Sequence, residues 1–415
     1  MSKSVVIIGG GIIGLCTAYY LQKEGCKVTI VDKSNFSSGA SYVNAGYITP
    51  SHFMPLSQPG IINKGLKWML DSASPFYVKP RLNLDFLKWA LAFKKSASTS
   101  KVEKAIPLLV DFNVLSRELY KEMKMSNDFN FHYEKKGLLM YYKSDKVGEE
   151  EWEIGKRGIK EGLKVEHLSA SDVSRIEPNV NLDIKGAVYF HSDGHMTPSV
   201  FMKNMIHFLK SKGVTFFAKE EVVDIEVSNH SISKVVTNKQ ELKGDEVVMA
   251  AGSWSQKLSK KLGIKIPLQA GKGYSINVER PTGITIPSIL SEAKVAVTPM
   301  EGFTRFAGTM EIAGINHNIN PVRVNAIAKA VKQYYPDLDI AKTETDNAKS
   351  GLRPCSPDGL PYIGKPSKCK NLTIATGHAM MGWSLAPATG KMVSEIIQDK
   401  KTLMKIDVFH PDRRF

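Results

Sequence analysis

Two glycine-rich segments at opposite ends of the chain constrain its fold more than any other feature. The first, GGGIIG at residues 9–14, directly follows a short apolar run. The second, GLRPCSPDGLPYIG, covers residues 351–364. Glycines cluster where a backbone must turn tightly or approach another group closely. The pair therefore predicts a fold in which both ends of the chain return to one place.

The N-terminal segment has the order of a dinucleotide-binding unit. The run Ser4–Ile8 is rich in β-branched residues and is typical of a buried parallel strand. Gly9, Gly11 and Gly14 follow at GxGxxG spacing, which permits a tight turn, close approach of a pyrophosphate and close helix packing. Asp32 ends the next predicted strand, where a carboxylate accepts hydrogen bonds from ribose hydroxyls and disfavours a 2′-phosphate. We predict a bound ADP-ribose moiety; the alternative is a tight turn without a ligand.

The C-terminal segment predicts a second strand–loop–helix unit, with a strand over 371–376 and a helix over 385–398. The residues before this helix are small: Gly377, Ala379, Gly382 and Ser384. They leave the unpaired N–H groups of the helix open to a ligand, and the partial positive charge there favours a reduced flavin. A nicotinamide enzyme needs only the first glycine motif. A second glycine-rich segment near the C-terminus therefore favours a flavoprotein. The alternative is an ordinary packing helix.

Composition and cysteine spacing bound the class of protein. A chain of 415 residues buries a large core and is expected to form two domains. Its four cysteines lack CxxC spacing, which argues against a disulfide framework, and we predict no metal site. The first strand begins at Ser4, so we expect no signal peptide, and no apolar run reaches about 18 residues. We therefore expect a cytoplasmic protein.

The formal net charge of +15 points to an anionic partner. No nucleic-acid-binding signature is present, so we expect no nucleic-acid partner. Segment 61–96 interleaves Trp, Leu and Phe with basic residues, which suits a helix lying on an anionic membrane, here the inner face of the cell membrane. The alternative is a lid or substrate-domain helix with its lysines in water. The basic residues of the segment are Lys64, Lys67, Lys79, Arg81, Lys88, Lys94 and Lys95.

The middle of the chain predicts alternating helices and strands. Helices are expected over 101–125, 146–163, 198–209 and 325–335. Strands are expected over 138–142, 187–190, 214–217, 222–227, 232–237 and 246–250, with antiparallel strands between 268 and 313. The turn at 251–255 is rich in small residues, which suits a backbone passing close to a cofactor.

Motifs along the whole chain resemble those of the D-amino acid dehydrogenase branch of the glycine oxidase and D-amino acid oxidase superfamily. The matching segments are 9–14, 41–48, 65–69, 250–255, 351–364 and 377–390. The resemblance implies noncovalent FAD and oxidation of a D-amino acid to an imino acid, which water hydrolyses to a 2-oxo acid and ammonia. It also implies hydride transfer from the substrate Cα to flavin N5 and a quinone or respiratory electron acceptor.

The same resemblance implies the fold class. This is α/β with an α+β substrate domain: a Rossmann-like FAD-binding domain interleaved with a substrate-binding domain on a mostly antiparallel sheet. We predict residues 1–50, 165–260 and 345–415 for the first domain and residues 51–164 and 261–344 for the second.

The resemblance also assigns residues to the site. Arg353 matches the arginine that holds the substrate carboxylate, because a planar guanidinium binds a carboxylate bidentately. His378 and Tyr274 are further catalytic candidates, although each also suits a structural role, as do His52 and His195. The predicted cofactor-binding residues are Gly9, Gly11, Ile12, Ile13, Gly14, Asp32, Lys33, Ser41, Asn44, Ala45, Gly46, Tyr47, Val223, Ala251, Gly252, Gly382, Trp383 and Ser384.

Three other functions stay open at this point. A flavin oxidase would use oxygen on glycine, sarcosine or a hydroxyproline-like amine. A flavin-binding regulator or electron carrier would have no use for a carboxylate clamp, so Arg353 weighs against it. An NAD-dependent dehydrogenase is the residual alternative. Cys355 raises the option of covalent flavin, which we do not expect because the motif around it differs from that of the sarcosine oxidases.

Overall fold

The computed structural model describes residues 2–61, 74–79, 81 and 83–415. Two sequence-based expectations therefore lie outside the described residues. These are the family match at 65–69 and the contribution of Lys64 and Lys67 to the basic segment.

The helices follow the predicted pattern closely, and each main predicted helix is confirmed to within a few residues. They are α1 (Ile12–Lys23), α2 (Leu84–Ser96), α3 (Thr99–Met125), α4 (Asp145–Lys160), α5 (Ala170–Ile176), α6 (Pro198–Ser211), α7 (Ser255–Lys261), α8 (Pro321–Tyr334), α9 (Lys342–Asp346) and α10 (Ala386–Ile397). Within the described residues, none of these helices is both long enough and apolar enough to cross a membrane.

In the described part of the chain, the strands form two large sheets and two small ones. They are β1 (Ser4–Ile8), β2 (Lys27–Val31), β3 (Tyr47–Ile48), β4 (Phe76–Val78), β5 (Tyr133–Glu134), β6 (Leu138–Tyr142), β7 (Val165–Ser169), β8 (Gly186–Phe190), β9 (Gly194–Met196), β10 (Thr215–Phe217), β11 (Val222–Ser228), β12 (Ser231–Thr237), β13 (Glu241–Leu242), β14 (Glu246–Met249), β15 (Gln269–Val278), β16 (Ser288–Leu290), β17 (Val295–Met300), β18 (Phe303–Ile312), β19 (Lys349–Cys355), β20 (Tyr362–Gly364) and β21 (Leu372–Thr376).

The first large sheet joins both ends of the chain. Its strand order is β10-β2-β1-β14-β21-β20, and every pair is parallel except β20 with β21. Helix α1 packs against α10 beside this sheet. A Cβ atom on Gly390 would lie 2.5 Å from the carbonyl carbon of Cys16, so only glycine permits this separation of the helices. The expected meeting of the two ends is thus present.

The second large sheet is mostly antiparallel, as predicted. Its main path is β19-β15-β18-β17-β16-β6-β8-β7, with β4 beside β18. Strands β7, β8 and β19 belong to this sheet, although the predicted division placed their residues with the FAD-binding domain. Their partners lie far away in sequence, so local patterns cannot assign them. The fold class is confirmed, while the exact division into two domains stays a prediction.

A short three-stranded sheet of order β3-β9-β5 sets the position of one predicted site loop. Tyr47 of β3 lies opposite His195 of β9, and the Met196 N–H donates a 2.9 Å hydrogen bond to the Gly46 carbonyl. The loop before β3 is therefore held by backbone pairing from behind. The remaining small sheet has the order β11-β12-β13.

Candidate active site

A cavity of about 1960 Å³ lies at the carboxyl ends of β1, β2, β14 and β21. Ligands of open α/β sheets bind at this edge, and sites for one small molecule have volumes of roughly 300–1000 Å³. The cavity therefore has space for a large cofactor together with a substrate. Every site residue predicted from the sequence lines it except Gly14 and Gly46, so residues from both ends of the chain meet here.

The first glycine turn leaves no space for side chains. Gly9 has a φ of +112°, and a Cβ atom on it would lie 2.5 Å from the Ala250 carbonyl oxygen. A Cβ atom on Gly14 would overlap the Gly9 carbonyl oxygen, so Gly14 serves the packing of α1 on β1. The absence of Gly14 from the cavity wall agrees with this packing role.

Gly11 instead faces open space. The nearest atom to a Cβ built there is the Ser41 hydroxyl oxygen, at 3.3 Å. Helix α1 begins after Gly11 with no side-chain cap, and the Ile12 N–H donates to Ser41 Oγ at 3.0 Å. Unpaired N–H groups and the positive helix end attract an anion. This arrangement fits a pyrophosphate.

Asp32 follows β2 at the edge of the cavity. Its carboxylate accepts hydrogen bonds from the Gly10 and Ser34 N–H groups, each at 2.7 Å, which fix its orientation. The next residue, Lys33, places its ammonium 3.5 Å from the centre of the Trp254 ring. Burial lowers the pKa of Lys33. This wall fits the adenosine half of a dinucleotide.

The loop of Asn44, Ala45 and Gly46 is held in a single shape. Gly46 has a φ of +75°, and a Cβ atom on it would overlap the Met196 carbonyl oxygen. Asn44 Oδ1 accepts the Gly46 N–H at 2.7 Å, and Thr298 Oγ1 donates to the Ala45 carbonyl at 2.8 Å. Asn44 and Ala45 line the cavity, whereas Gly46 supports the loop from outside it.

Arg305 is a site residue that the sequence analysis missed. Its Nη1 atom donates to the carbonyls of Tyr42 and Asn44, at 2.9 and 2.7 Å, and its Nε donates to Asn277 Oδ1. Burial lowers the pKa of this guanidinium to about 10. Arg305 therefore fastens the loop to β15 and β18, and no local motif marks it.

The wall before α10 contains an unpaired donor. The Trp383 side chain is buried, and its indole N–H has no hydrogen-bond partner within the described part of the chain. Ser384 differs, because its hydroxyl donates to Asn113 Oδ1 at 2.7 Å and accepts the Thr49 N–H at 3.0 Å. Gly382, Trp383 and Ser384 together form the cavity wall before α10, where the sequence predicts the flavin ring.

Arg353 extends from β19 into the same cavity. Its Nη1 atom donates to the Thr309 carbonyl at 2.9 Å, and a side chain at Gly273 would overlap the guanidinium. Thr309 has a φ of +69° at an irregularity in the β15–β18 pairing. Among the described residues no carboxylate pairs with Arg353, and burial lowers its pKa. The remaining N–H groups are thus free to bind an anion such as a carboxylate.

His378 lines the cavity, but its ring is engaged with the protein. Its Nε2 atom lies 3.0 Å from Thr389 Oγ1, which itself donates to the Leu385 carbonyl at 2.9 Å. The Nε2 atom therefore carries the proton, and burial lowers the pKa of the ring to about 3. This geometry favours a structural role in the first turn of α10, and a catalytic role stays a prediction.

Tyr274 is similarly engaged. It is 1% exposed, and its hydroxyl donates to Glu311 Oε2 at 2.7 Å. Glu311 also lies 3.3 Å from the Lys272 ammonium in this buried cluster. Desolvation and the neighbouring carboxylate raise the pKa of Tyr274, so its phenol stays protonated. A catalytic role for Tyr274 also stays a prediction.

A polar chain behind His52 was not visible from the sequence. His52 lines the cavity, and its Nδ1 atom lies 3.0 Å from Ser51 Oγ. Ser51 in turn donates from both its backbone and its hydroxyl to buried Asp193. Burial lowers the pKa of His52 to about 4, so the ring is neutral at pH 7. Only the folded chain brings Asp193 to this loop.

Among the described residues, Cys355 does not line the cavity. The side chain is fully buried, and burial raises the pKa of the thiol to about 12. A protonated thiol is a poor nucleophile, so the site suits a noncovalently held cofactor.

Comparison with known proteins agrees with this geometry. Residues 4–396 match the family model described as FAD dependent oxidoreductase (DAO). The chain is 31% identical to a D-amino acid dehydrogenase of Helicobacter pylori, over 98% of each chain. It is 32% identical to one of Vibrio vulnificus, over 96% of each. Glycine oxidase of Geobacillus kaustophilus has a similar fold, with a TM-score of 0.78 at 21% identity over the full length of both chains.

The cavity thus offers an open helix N-terminus beside Gly11, a fixed carboxylate at Asp32 and the wall of residues 382–384 before α10. These groups suit the pyrophosphate, the ribose and the flavin ring, respectively. The family match extends from β1 into α10 and so covers all three. This chain belongs to the DAO family of FAD-dependent oxidoreductases.

Proposed function

We propose that the chain is a D-amino acid dehydrogenase, which oxidises its substrate to an imino acid that water hydrolyses to a 2-oxo acid and ammonia. The observation that carries the proposal is Arg353, a half-buried guanidinium without an acidic partner in the described chain, inside the FAD cavity. The two dehydrogenases from Helicobacter and Vibrio support the choice of substrate.

Arg353 binds the substrate carboxylate through paired N–H groups. The Thr309 carbonyl accepts a hydrogen bond from the guanidinium, and the absence of a side chain at Gly273 leaves space for it. The position of the guanidinium in turn fixes the plane of the carboxylate. Such positioning lowers the activation barrier by removing rotational freedom before the reaction. When FAD is bound, it would supply at N5 the acceptor for a hydride from the substrate Cα.

The substrate amine must be neutral before its Cα–H bond is broken, and no protein base is required if it arrives deprotonated. His378 and Tyr274 are both hydrogen-bonded to other side chains, so neither is required for this step. We expect kcat/KM to rise with pH until the substrate ammonium has lost its proton.

We further propose that the electrons leave to a membrane quinone. Helix α2 carries the supporting observation, because its two sides differ. Trp89 and Phe93 line the cavity, and the Trp89 indole donates to the Cys355 carbonyl at 2.9 Å. The opposite side exposes three leucines, with 73%, 45% and 63% of their surface accessible. They are Leu84, Leu87 and Leu91.

The exposed side of α2 also carries positive charge. Lys88 and Lys95 share this side at helical spacing with the leucines, and both are exposed. Leucines flanked by lysines suit insertion into an anionic lipid surface, where the leucines leave water and the lysines meet headgroups. Helix α2 therefore packs one side on the core, and its exposed side supports the proposed membrane contact.

Membrane docking is tested by sedimentation with vesicles that contain anionic phospholipid. The chain is expected to bind at low salt and to dissociate as salt rises, and Leu87→Ser with Leu91→Ser to weaken binding. Exposed Val227→Ser on β11 is the matched control. Equal binding by the double variant and the control would exclude α2 as the docking face.

The reaction is tested by an anaerobic absorbance spectrum of the purified protein before and after addition of D-alanine, D-proline or L-alanine. Bleaching of the flavin bands by D-amino acids alone is the expected result. Bleaching by L-alanine would reverse the assigned handedness. No bleaching with any of the three would shift the assignment to another amine.

A flavin oxidase is the second candidate, favoured by the fold that the chain shares with glycine oxidase. Such an enzyme would pass electrons to oxygen. We expect slow oxygen uptake compared with turnover in an artificial dye. Equal rates with oxygen and with the dye would favour the oxidase.

A further inference from the structure

A cluster of three potential metal ligands lies behind the loop of Asn44 to Gly46. Glu134 of β5 is opposite His195 of β9 in an antiparallel pair. His132 lies two residues before Glu134, and alternate residues of an extended chain project to the same side. The ladder thus brings two imidazoles and one carboxylate together from separate parts of the sequence.

The distances in this cluster suit one metal ion. One ligand atom from each residue lies within 4.8 Å of the other two. His132 Nε2 is 3.4 Å from Glu134 Oε1, and His195 Nε2 is 3.9 Å from Glu134 Oε2. Ligands held at 2.0–2.1 Å from a tetrahedral zinc ion are about 3.4 Å apart. Small side-chain movements would therefore complete the coordination.

His195 is the buried member of the cluster, with 1% of its surface exposed. The nitrogen that approaches the Glu134 carboxylate is Nε2, at 3.9 Å, so Nε2 is the ligand atom that His195 offers.

His132 is oriented for the same purpose. Its Nδ1 atom lies 3.0 Å from Thr197 Oγ1, and this hydroxyl also accepts the Glu301 N–H at 2.8 Å. Ligating histidines commonly bond through their second nitrogen to a fixed partner of this kind, which leaves Nε2 for the ion. The ring is half-buried, so solvent can deliver the ion.

Lys136 would compete with a metal ion for the Glu134 carboxylate. Its ammonium lies 2.7 Å from Glu134 Oε2, and 46% of its side chain is exposed. An exposed lysine ion pair contributes about 0–1 kcal/mol, so a divalent ion can displace it.

We propose that His132, Glu134 and His195 form a site for one divalent transition-metal ion of the zinc type, with water in the remaining position. Nitrogen and carboxylate ligands together suit this class of ion. The ion would brace the loop from behind, since His195 pairs with Tyr47 and the next residue, Met196, bonds Gly46. Metal binding needs no substrate and so stands independently of the proposed function.

The test is calorimetric titration of tag-free holoenzyme with zinc chloride, after chelator treatment and removal of the chelator. One saturable ion per chain is expected. His132→Ala and Glu134→Gln should each weaken binding by roughly tenfold or more. His207→Ala, which removes an exposed histidine from α6, should bind as the parent does. Absence of saturable binding, or equal binding by all four proteins, would overturn the proposal.

Two further measurements separate the site from general zinc binding. Lys136→Met removes a competing charge and should tighten binding by about fourfold. Zinc should raise the thermal midpoint of the parent but not that of His132→Ala. Zinc that binds without changing the midpoint would remove the bracing role, and unchanged affinity in Lys136→Met would place the ion elsewhere.

Discussion

The nucleotide end and the substrate end of the cavity are built in different ways. At the nucleotide end, contacts come from backbone atoms at positions such as Gly9 and Gly11, which are neighbours in sequence. At the substrate end, Arg353 is placed by Thr309 and Gly273, on two other strands of the nine-stranded sheet. The nucleotide end depends on the absence of side chains within one short segment. The substrate end depends on the alignment of strands that are distant in the sequence. Substitutions should therefore separate cofactor binding from substrate binding.

The largest effect is expected from Gly14→Ala. The new methyl group would overlap the Gly9 carbonyl oxygen, so α1 must move away from β1. Overpacking usually costs about 1–3 kcal/mol, but here the methyl group meets backbone that cannot rotate away, so we expect a larger cost, with loss of both FAD and soluble protein. Flavin absorbance per chain and the thermal midpoint measure this. Gly11→Ala has 3.3 Å of clearance and should keep the fold while weakening FAD binding. Equal loss of fold in both variants would contradict the comparison.

The next effect is expected from Arg353→Met. Removal of one partner of a buried charge pair loses about 3–5 kcal/mol, so kcat/KM for a D-amino acid should fall by roughly a thousandfold. FAD content should not change, because the side chain belongs to the substrate end. Arg353→Lys is the matched control and should recover part of the activity. A fall of FAD content parallel to activity would show that the two ends are not separable.

Arg305→Met tests the place where the two ends meet. Its guanidinium joins Asn44 at the cofactor to Asn277 in the large sheet. Loss of these bonds leaves buried carbonyls unsatisfied, at about 1–3 kcal/mol each. We expect the dissociation constant of FAD to rise by about tenfold or more, measured by flavin fluorescence. Arg280→Met, which removes an exposed guanidinium from an ion pair with Glu344, is the control. Unchanged FAD affinity would mean that the loop holds its shape alone.

The acid stability of the protein should depend on His378. Burial lowers the pKa of this ring from its usual 6.5 to about 3, so the unfolded state binds the proton more readily. The folded state therefore loses stability as pH falls from about 6.5 towards 3, and not above that range. His378→Gln should flatten the dependence of the thermal midpoint on pH between 7 and 5. An unchanged slope would indicate that other groups dominate the acid response.

The smallest effect is expected from Tyr274→Phe. The variant removes one hydrogen bond to Glu311, which contributes about 0.5–1.5 kcal/mol, and it keeps the ring. The thermal midpoint should fall slightly, with kcat and KM within about twofold of the parent. A much larger fall of kcat would instead establish Tyr274 as a catalytic residue.

The sequence predicted the nucleotide end well because its determinants are local. Strand β1, the three glycines and Asp32 lie in one continuous segment, and the spacing of these residues determines the local backbone geometry. Most of the main helices were also within a few residues of their predicted limits, since apolar periodicity and caps are local features.

The rest of the site was not predicted, for the converse reason. Arg305, Asp193 and the irregular backbone at Thr309 act through partners that are distant in the sequence. The same limit explains the placement of β7, β8 and β19, whose pairing is decided by the assembled sheet. Arg353 was found only through the family resemblance, and no spacing rule would have identified it.

The contact of Gly390 with Cys16 has a consequence for the order of events during synthesis. Helix α1 leaves the ribosome early, but α10, which packs against it, leaves only after most of the chain. Until α10 has been synthesised, the face of α1 that packs against it stays exposed. An arrested or clipped chain that lacks α10 would keep the glycine turn but lose the helix that packs against α1, and we expect it to hold FAD less tightly.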